Sequence, residues 1–96
     1  MKTTIDDWRR QIDALDAEML RLLSQRAEIV REIARLKREQ NAPVRDSERE
    51  RELIGGLCRS NTGPLDDQAI GAIFRIIIDE SRRTQTSLLD RQSDED

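Results

Sequence analysis

The sequence contains no histidine and no tyrosine, and it has a single cysteine, a single tryptophan and a single phenylalanine among its 96 residues. The lack of histidine excludes Ser-His-Asp and Cys-His nucleophilic catalysis and histidine-ligated metal sites. One cysteine, Cys58, excludes an internal disulfide and a zinc-thiolate cluster, and a lone thiol leads us to expect a cytoplasmic protein. The scarcity of aromatic residues argues against a β-sandwich.

Long apolar runs and an excess of basic charge are also missing. The longest purely apolar runs span three residues, as in Ile76–Ile78, which is too short to cross a membrane. The formal charge is −3, and residues 90–96 alone carry four acids and one arginine, so the rest of the chain is neutral. We therefore expect no nucleic-acid partner, one domain in residues 1–90, and an acidic, disordered tail in residues 91–96.

The pattern of apolar residues predicts an all-α chain of three helices. Between residues 5 and 40 the apolar positions recur every three or four residues, with Thr4 as a candidate N-cap. A second helix is expected over about 47–60, capped either by a Ser47-x-x-Glu50 box or by Asp46, and a third over about 66–89. The first helix would be about 54 Å long, against a radius of gyration of about 12–13 Å for a compact chain of this size. Such a helix cannot bury its apolar face within its own chain, so we expect a homodimer.

Four polar side chains fall on helix faces that the pattern predicts to be buried. Arg26 occupies the one apolar gap in the first helix, and Lys37, eleven residues later, lies within about 20° of the same face and about 16 Å along the axis. Ser81 and Gln85, spaced i and i+4, continue the apolar face of the third helix. Burying such groups unpaired costs roughly 1–3 kcal/mol each, and a polar ligand would satisfy them.

Each of these residues also has an ordinary structural explanation. Arg26 is able to extend its head group to solvent, and Lys37 suits the negative end of a helix dipole. Ser81 is able to hydrogen-bond its own i−4 carbonyl, and Gln85 to sit at a dimer rim. Capping accounts adequately for Asp46 and Glu50.

Taken together, the polar residues and their spacing resemble the all-α class of chorismate mutase over residues 5 to 88. The motifs that carry the resemblance are Arg9-x-x-Ile12-Asp13-x-Leu15-Asp16, Leu22-Leu23-x-x-Arg26, Ile33-x-x-x-Lys37, Pro43-Val44-Arg45-Asp46, Arg49-Glu50 and Ile77-Ile78-x-x-Ser81-x-x-x-Gln85. The resemblance implies an intertwined homodimer of three-helix chains. It also implies an isomerase that converts chorismate to prephenate by a Claisen rearrangement, without cofactor or metal, in phenylalanine and tyrosine biosynthesis.

The resemblance further implies a role for each matched residue. Lys37 would hold a substrate carboxylate and the ether oxygen, and Gln85 would donate to that ether oxygen. Arg26 and Ser81 would help to hold a carboxylate.

Glu50 and the backbone N–H of Asp46 would hold the ring hydroxyl, and Arg9 would reach in from the partner chain. Helix geometry agrees that Arg9 would come from the partner chain, because within one helix Arg9 lies about 25 Å along the axis from Arg26 and points about 100° away. The chain departs from the family pattern at Arg82, an extra cation beside Ser81.

Two alternatives remain open from the sequence. Isochorismate-pyruvate lyase shares the fold and much of the basic site, although Glu50 and Asp46 suit the hydroxyl of chorismate. A non-catalytic helical dimerisation module would instead pair Arg26, Lys37 and the polar residues of the third helix with protein groups and leave no cavity.

Overall fold

Three helices make up the computed structural model, which describes residues 2–94 and the side chains of residues 2–87. They are α1 (Ile5–Gln40), α2 (Ser47–Ser60) and α3 (Asp67–Asp94), and residues 2–94 contain no strand. The all-α prediction is confirmed, and the first two helices have the predicted bounds. Helix α3 includes residues 91–94, which were expected in the tail, while residues 95–96 lie outside the described part of the chain.

Helix α1 begins at the predicted cap. The Thr4 hydroxyl accepts a hydrogen bond from the Asp7 backbone N–H at 3.1 Å, and the Asp7 carboxylate accepts one from the Thr4 N–H at 2.9 Å. These reciprocal bonds satisfy backbone donors that would otherwise lack a helical partner. They also lower the pKa of Asp7 below its ordinary value, the Thr4 N–H contributing most.

The end of α1 and the start of α2 set the loop that carries Val44. Asn41 closes α1 in the left-handed conformation (φ 53°, ψ 33°), and the Ala42 N–H donates to the Lys37 carbonyl at 2.8 Å. Helix α2 is capped by Asp46, which accepts from the Arg49 N–H at 3.0 Å. The alternative Ser47-x-x-Glu50 capping box is therefore wrong.

Helix α3 packs against both α1 and α2, whereas α1 and α2 do not pack on each other in the described part of the chain. The molecule measures 63 × 29 × 15 Å, with a radius of gyration of 17.5 Å. This exceeds the value of about 12–13 Å for a compact chain of the same length. The length comes from α1, which projects well beyond the other two helices.

The buried core is correspondingly small. Among residues with described side chains, the buried apolar ones are Val30, Ala34 and Ile78. Most of the apolar face of α1 is exposed, in a stripe formed by Ile5, Trp8, Ile12, Leu15, Met19, Leu22, Ile29, Ile33 and Leu36. An exposed apolar stripe of this length is typical of an interaction surface.

Candidate active site

A cavity of about 310 Å³, partly open to solvent, lies between the three helices. Its lining residues are Arg26, Val30, Ile33, Lys37, Val44, Asp46, Arg49, Glu50, Leu53, Ile78, Ser81, Arg82 and Gln85. Four of these are cationic and two are anionic, so the cavity suits an anionic ligand. Its volume falls at the lower end of the range of about 300–1,000 Å³ for small-molecule sites.

The Arg26 guanidinium is held against α3 by Ser81. Arg26 Nη1 donates a hydrogen bond to Ser81 Oγ, and Ser81 Oγ in turn donates to the Ile77 carbonyl at 2.8 Å. The Ser81 hydroxyl thus uses its one proton on its own helix and its lone pair on Arg26. The other guanidinium N–H groups leave Arg26 able to bind a planar carboxylate.

Lys37 reaches the cavity from the last turn of α1. Its Nζ donates to the Val44 carbonyl at 2.8 Å, and the side chain is half-buried. An ammonium group has three protons, so two are left for other acceptors. The position of this ammonium is therefore set by the loop after α1 as well as by the helix.

Gln85 is the buried polar residue of the site. It is 8% exposed, and its Oε1 atom is buried without a hydrogen-bond partner. Leaving such an atom unsatisfied costs about 1–3 kcal/mol, so an amide in this position is typical of a ligand site.

Glu50 faces the cavity from the first turns of α2, next to the N-cap Asp46. Arg82 Nη2 donates to Glu50 Oε1 at 3.0 Å and to Asp79 Oδ1 at 3.1 Å. Both Glu50 and Arg82 are about one quarter exposed, and Arg82 Nε is buried without a partner. The ion pair connects α2 to α3 at the edge of the cavity.

Arg9 is the predicted site residue that does not reach the cavity of its own chain. Its side chain is 71% exposed and lies 3.8 Å from the carboxylate of Asp6. The other six predicted residues, Arg26, Lys37, Asp46, Glu50, Ser81 and Gln85, all line the cavity.

Several residues that line the cavity were not predicted as site residues from the sequence, among them Arg49 and Val44. Arg49 had been matched only as part of a motif, although its i, i+3 spacing from Asp46 places it on the same end of α2. The Val44 carbonyl depends on the path of the loop, and no sequence signal indicates its orientation.

The cavity can be compared with what a non-catalytic helical dimerisation module would require. That alternative requires every inward polar group to pair with protein, and Arg26 and Lys37 do so. It also requires that no cavity remain, whereas a cavity is present and the buried Gln85 oxygen lacks a partner.

Two further features are absent from the described residues. These contain no group of three or more histidine, cysteine, aspartate or glutamate side chains placed to bind a metal ion. None of the helices within residues 2–94 combines the length and apolar character needed to cross a bilayer.

The sequence matches the family described as chorismate mutase type II over residues 8–86. Among curated proteins it is 39% identical over 82 residues to the bifunctional chorismate mutase/prephenate dehydratase of Escherichia coli strain K12. That match covers 84% of this chain and 21% of the relative. The chain thus spans about a fifth of the length of the curated relatives it matches.

Solved structures of similar length have the same fold. Form II of the chorismate mutase from Thermus thermophilus superposes with a TM-score of 0.84 at 36% identity, covering 85% of this chain and 93% of that one. The chorismate mutase from Helicobacter pylori, solved in complex with prephenate, gives a TM-score of 0.83 at 30% identity, covering 90% and 93%.

Proposed function

Since the chain belongs to the chorismate mutase type II family, we propose that it converts chorismate to prephenate, the reaction that supplies phenylalanine and tyrosine biosynthesis. The observation that carries the proposal is the convergence of Arg26, Lys37 and the buried Gln85 on one cation-rich cavity. The Helicobacter pylori relative, solved with prephenate, supports the choice of product. The unpaired Cys58 supports a cytoplasmic location.

The chemistry of chorismate explains why these residue types suffice. Chorismate carries two carboxylates, an enol ether and a ring hydroxyl. In the rearrangement the ether C–O bond breaks while a new C–C bond forms, and the electrons move within the substrate. No proton leaves or enters, so the protein needs neither a nucleophile nor an acid–base histidine.

The protein contributes in two ways. Arg26 and Lys37 bind the carboxylates and select the compact conformer in which the two reacting carbons lie close together. As the C–O bond breaks, negative charge develops on the ether oxygen, and the Lys37 ammonium and the Gln85 amide donate hydrogen bonds to it. Donors held in place before the reaction stabilise this charge without reorganisation.

The remaining predicted residues bind the parts of the substrate that do not react. Ser81 helps to hold a carboxylate by orienting Arg26, while Glu50 and the Asp46 backbone N–H bind the ring hydroxyl. These roles follow the family resemblance, and the position of each side chain on the cavity wall supports them.

A homodimer completes the site in this proposal. The exposed apolar stripe of α1 provides the surface that a second copy would cover. An apolar groove of about 300 Å³ between α1 and α3, lined by Leu23, Ala27 and Ile76 among others, extends that surface. An antiparallel partner helix would bring its Arg9 to the cavity, because within one chain Arg9 lies too far from Arg26.

The direct test is the loss of the chorismate ultraviolet absorption when purified protein is added, with prephenate identified as the product. Isochorismate is assayed in parallel. Turnover of chorismate to prephenate supports the proposal. Release of pyruvate from isochorismate, with no turnover of chorismate, refutes it in favour of the lyase.

A further inference from the structure

The Arg82–Glu50 ion pair lies at the edge of the cavity, and neither the reaction nor the capping of α2 requires it. We propose that Arg82 is a positioning residue that holds the Glu50 carboxylate so that it accepts a hydrogen bond from the substrate hydroxyl. This inference rests on the proposed function.

Glu50 takes its position over the cavity from α3. Helix α2 packs on α3 and not on α1, although Arg26 and Lys37 both come from α1. The bond from Arg82 Nη2 to Glu50 Oε1 spans 32 residues of sequence and fixes the first turns of α2 to α3. A change at Arg82 therefore moves Glu50 relative to the groups on α1.

The negative charge of Glu50 also needs a partner. Glu50 is three-quarters buried beside a cavity proposed to take a dianion. A carboxylate in that place repels the substrate unless a cation neutralises it, and Arg82 is the cation at hydrogen-bond distance. With Oε1 bound to Arg82, Oε2 keeps its lone pairs for the ligand hydroxyl.

The Arg82–Glu50 pair also shapes the wall of the cavity. Arg82 and Glu50 also line a second cavity of about 600 Å³ between α2 and α3. The pair thus forms part of the partition between the two cavities. Truncation of Arg82 to alanine would join the two cavities and admit water. Methionine, whose length is closer to that of arginine, is therefore the better substitution.

The experiment is a double-mutant cycle of Arg82→Met and Glu50→Gln. We expect Arg82→Met to lower kcat/KM for chorismate by about 10- to 100-fold in the wild-type background, as for loss of a charge-assisted hydrogen bond. In the Glu50→Gln background the same change should cost less than about threefold, because the partner charge is already gone. Most of the loss should appear in KM, because the hydroxyl keeps its bonds through the rearrangement.

Two variants separate this role from a general effect on folding. Arg83→Met removes the neighbouring cation, which is exposed and pairs with Glu80 at 2.9 Å, and it should leave kcat and KM unchanged. Arg82→Lys keeps a point charge near Glu50 and should recover most of the lost kcat/KM. Circular dichroism and the melting temperature are recorded for every variant.

The outcomes distinguish the two proposals. A wild-type chain that neither turns over chorismate nor binds prephenate in calorimetry overturns both the proposed function and the role of Arg82. An active wild type with an equal loss in both backgrounds, or with no loss on Arg82→Met, overturns the role of Arg82 alone. A loss confined to the background that contains Glu50 supports it.

Discussion

Two impaired variants should restore activity when they share a dimer, if each site takes Arg9 from one chain and Arg26 from the other. The Arg9→Ala variant lacks the cation proposed to cross the interface, and the Arg26→Ala variant lacks the one bound to Ser81. Each homodimer then has two defective sites. Removal of one charged contact to a substrate carboxylate should lower kcat/KM about 10- to 100-fold in each.

The magnitude of recovery follows from the symmetry of a two-fold dimer. Unfolding and refolding an equal mixture gives about half mixed dimers if the chains assort at random. In a mixed dimer one site has both arginines and the other has neither. About a quarter of the wild-type activity should therefore return, well above either variant alone.

The assay is the initial rate of chorismate loss after co-refolding, with each variant refolded alone for comparison. The matched control pairs Arg9→Ala with the Arg9→Ala/Arg26→Ala double variant, which offers no complete site in any dimer. Absence of recovery in folded, mixed dimers would refute the shared site. Full activity of Arg9→Ala alone would do the same.

Three further predictions concern single residues. Lys37→Ala should lower kcat at least about a hundredfold, as for loss of one oxyanion donor, and near-normal turnover in a folded variant would reject its role. Asn41→Ala should destabilise the chain by about 1 kcal/mol in urea unfolding, because the short polar side chain of asparagine tolerates the left-handed conformation better than alanine does. Asn41→Gly should be nearly neutral, and equal effects of the two substitutions would contradict this. The pKa of Asp7 is lowered by its bonds to Thr4, so its stabilising effect is present above the ordinary value of 3.8 and is lost as the pH falls through the lower folded value. The difference in melting temperature between wild type and Asp7→Asn should accordingly shrink in acid, and a difference that grows as the pH falls would contradict this.

The helices were predictable because local signals specify them. The period of apolar residues defined α1, and the caps at Thr4 and Asp46 are short-range interactions that the sequence displays directly. The competition between Asp46 and Ser47 was not resolved by sequence, since both residue types cap helices. The structure resolves it because Glu50, the other half of the Ser47 box, bonds to Arg82 instead.

The residues that line the cavity were only partly predictable from the sequence. Helical spacing placed Arg26 and Lys37 on one face, and Ser81 and Gln85 on another, since periodicity determines which side chains share a helix face. It does not determine how two helices approach each other, so the bond between Arg82 and Glu50 was not foreseen.

The cavity between the three helices accounts both for the small core of the single chain and for the chemistry proposed for the protein. Much of the space where the three helices meet is a cavity and not packed side chains, so it adds little buried apolar surface. The apolar surface that would compensate lies along α1 and requires a second copy to cover it. If the stripe is the dimer interface, the contact that stabilises the fold also delivers Arg9 to the site. Charge substitutions in the stripe, as at Leu15, should then abolish folding and activity together, whereas Arg26→Ala and Lys37→Ala in the cavity should lower activity and leave the chain folded.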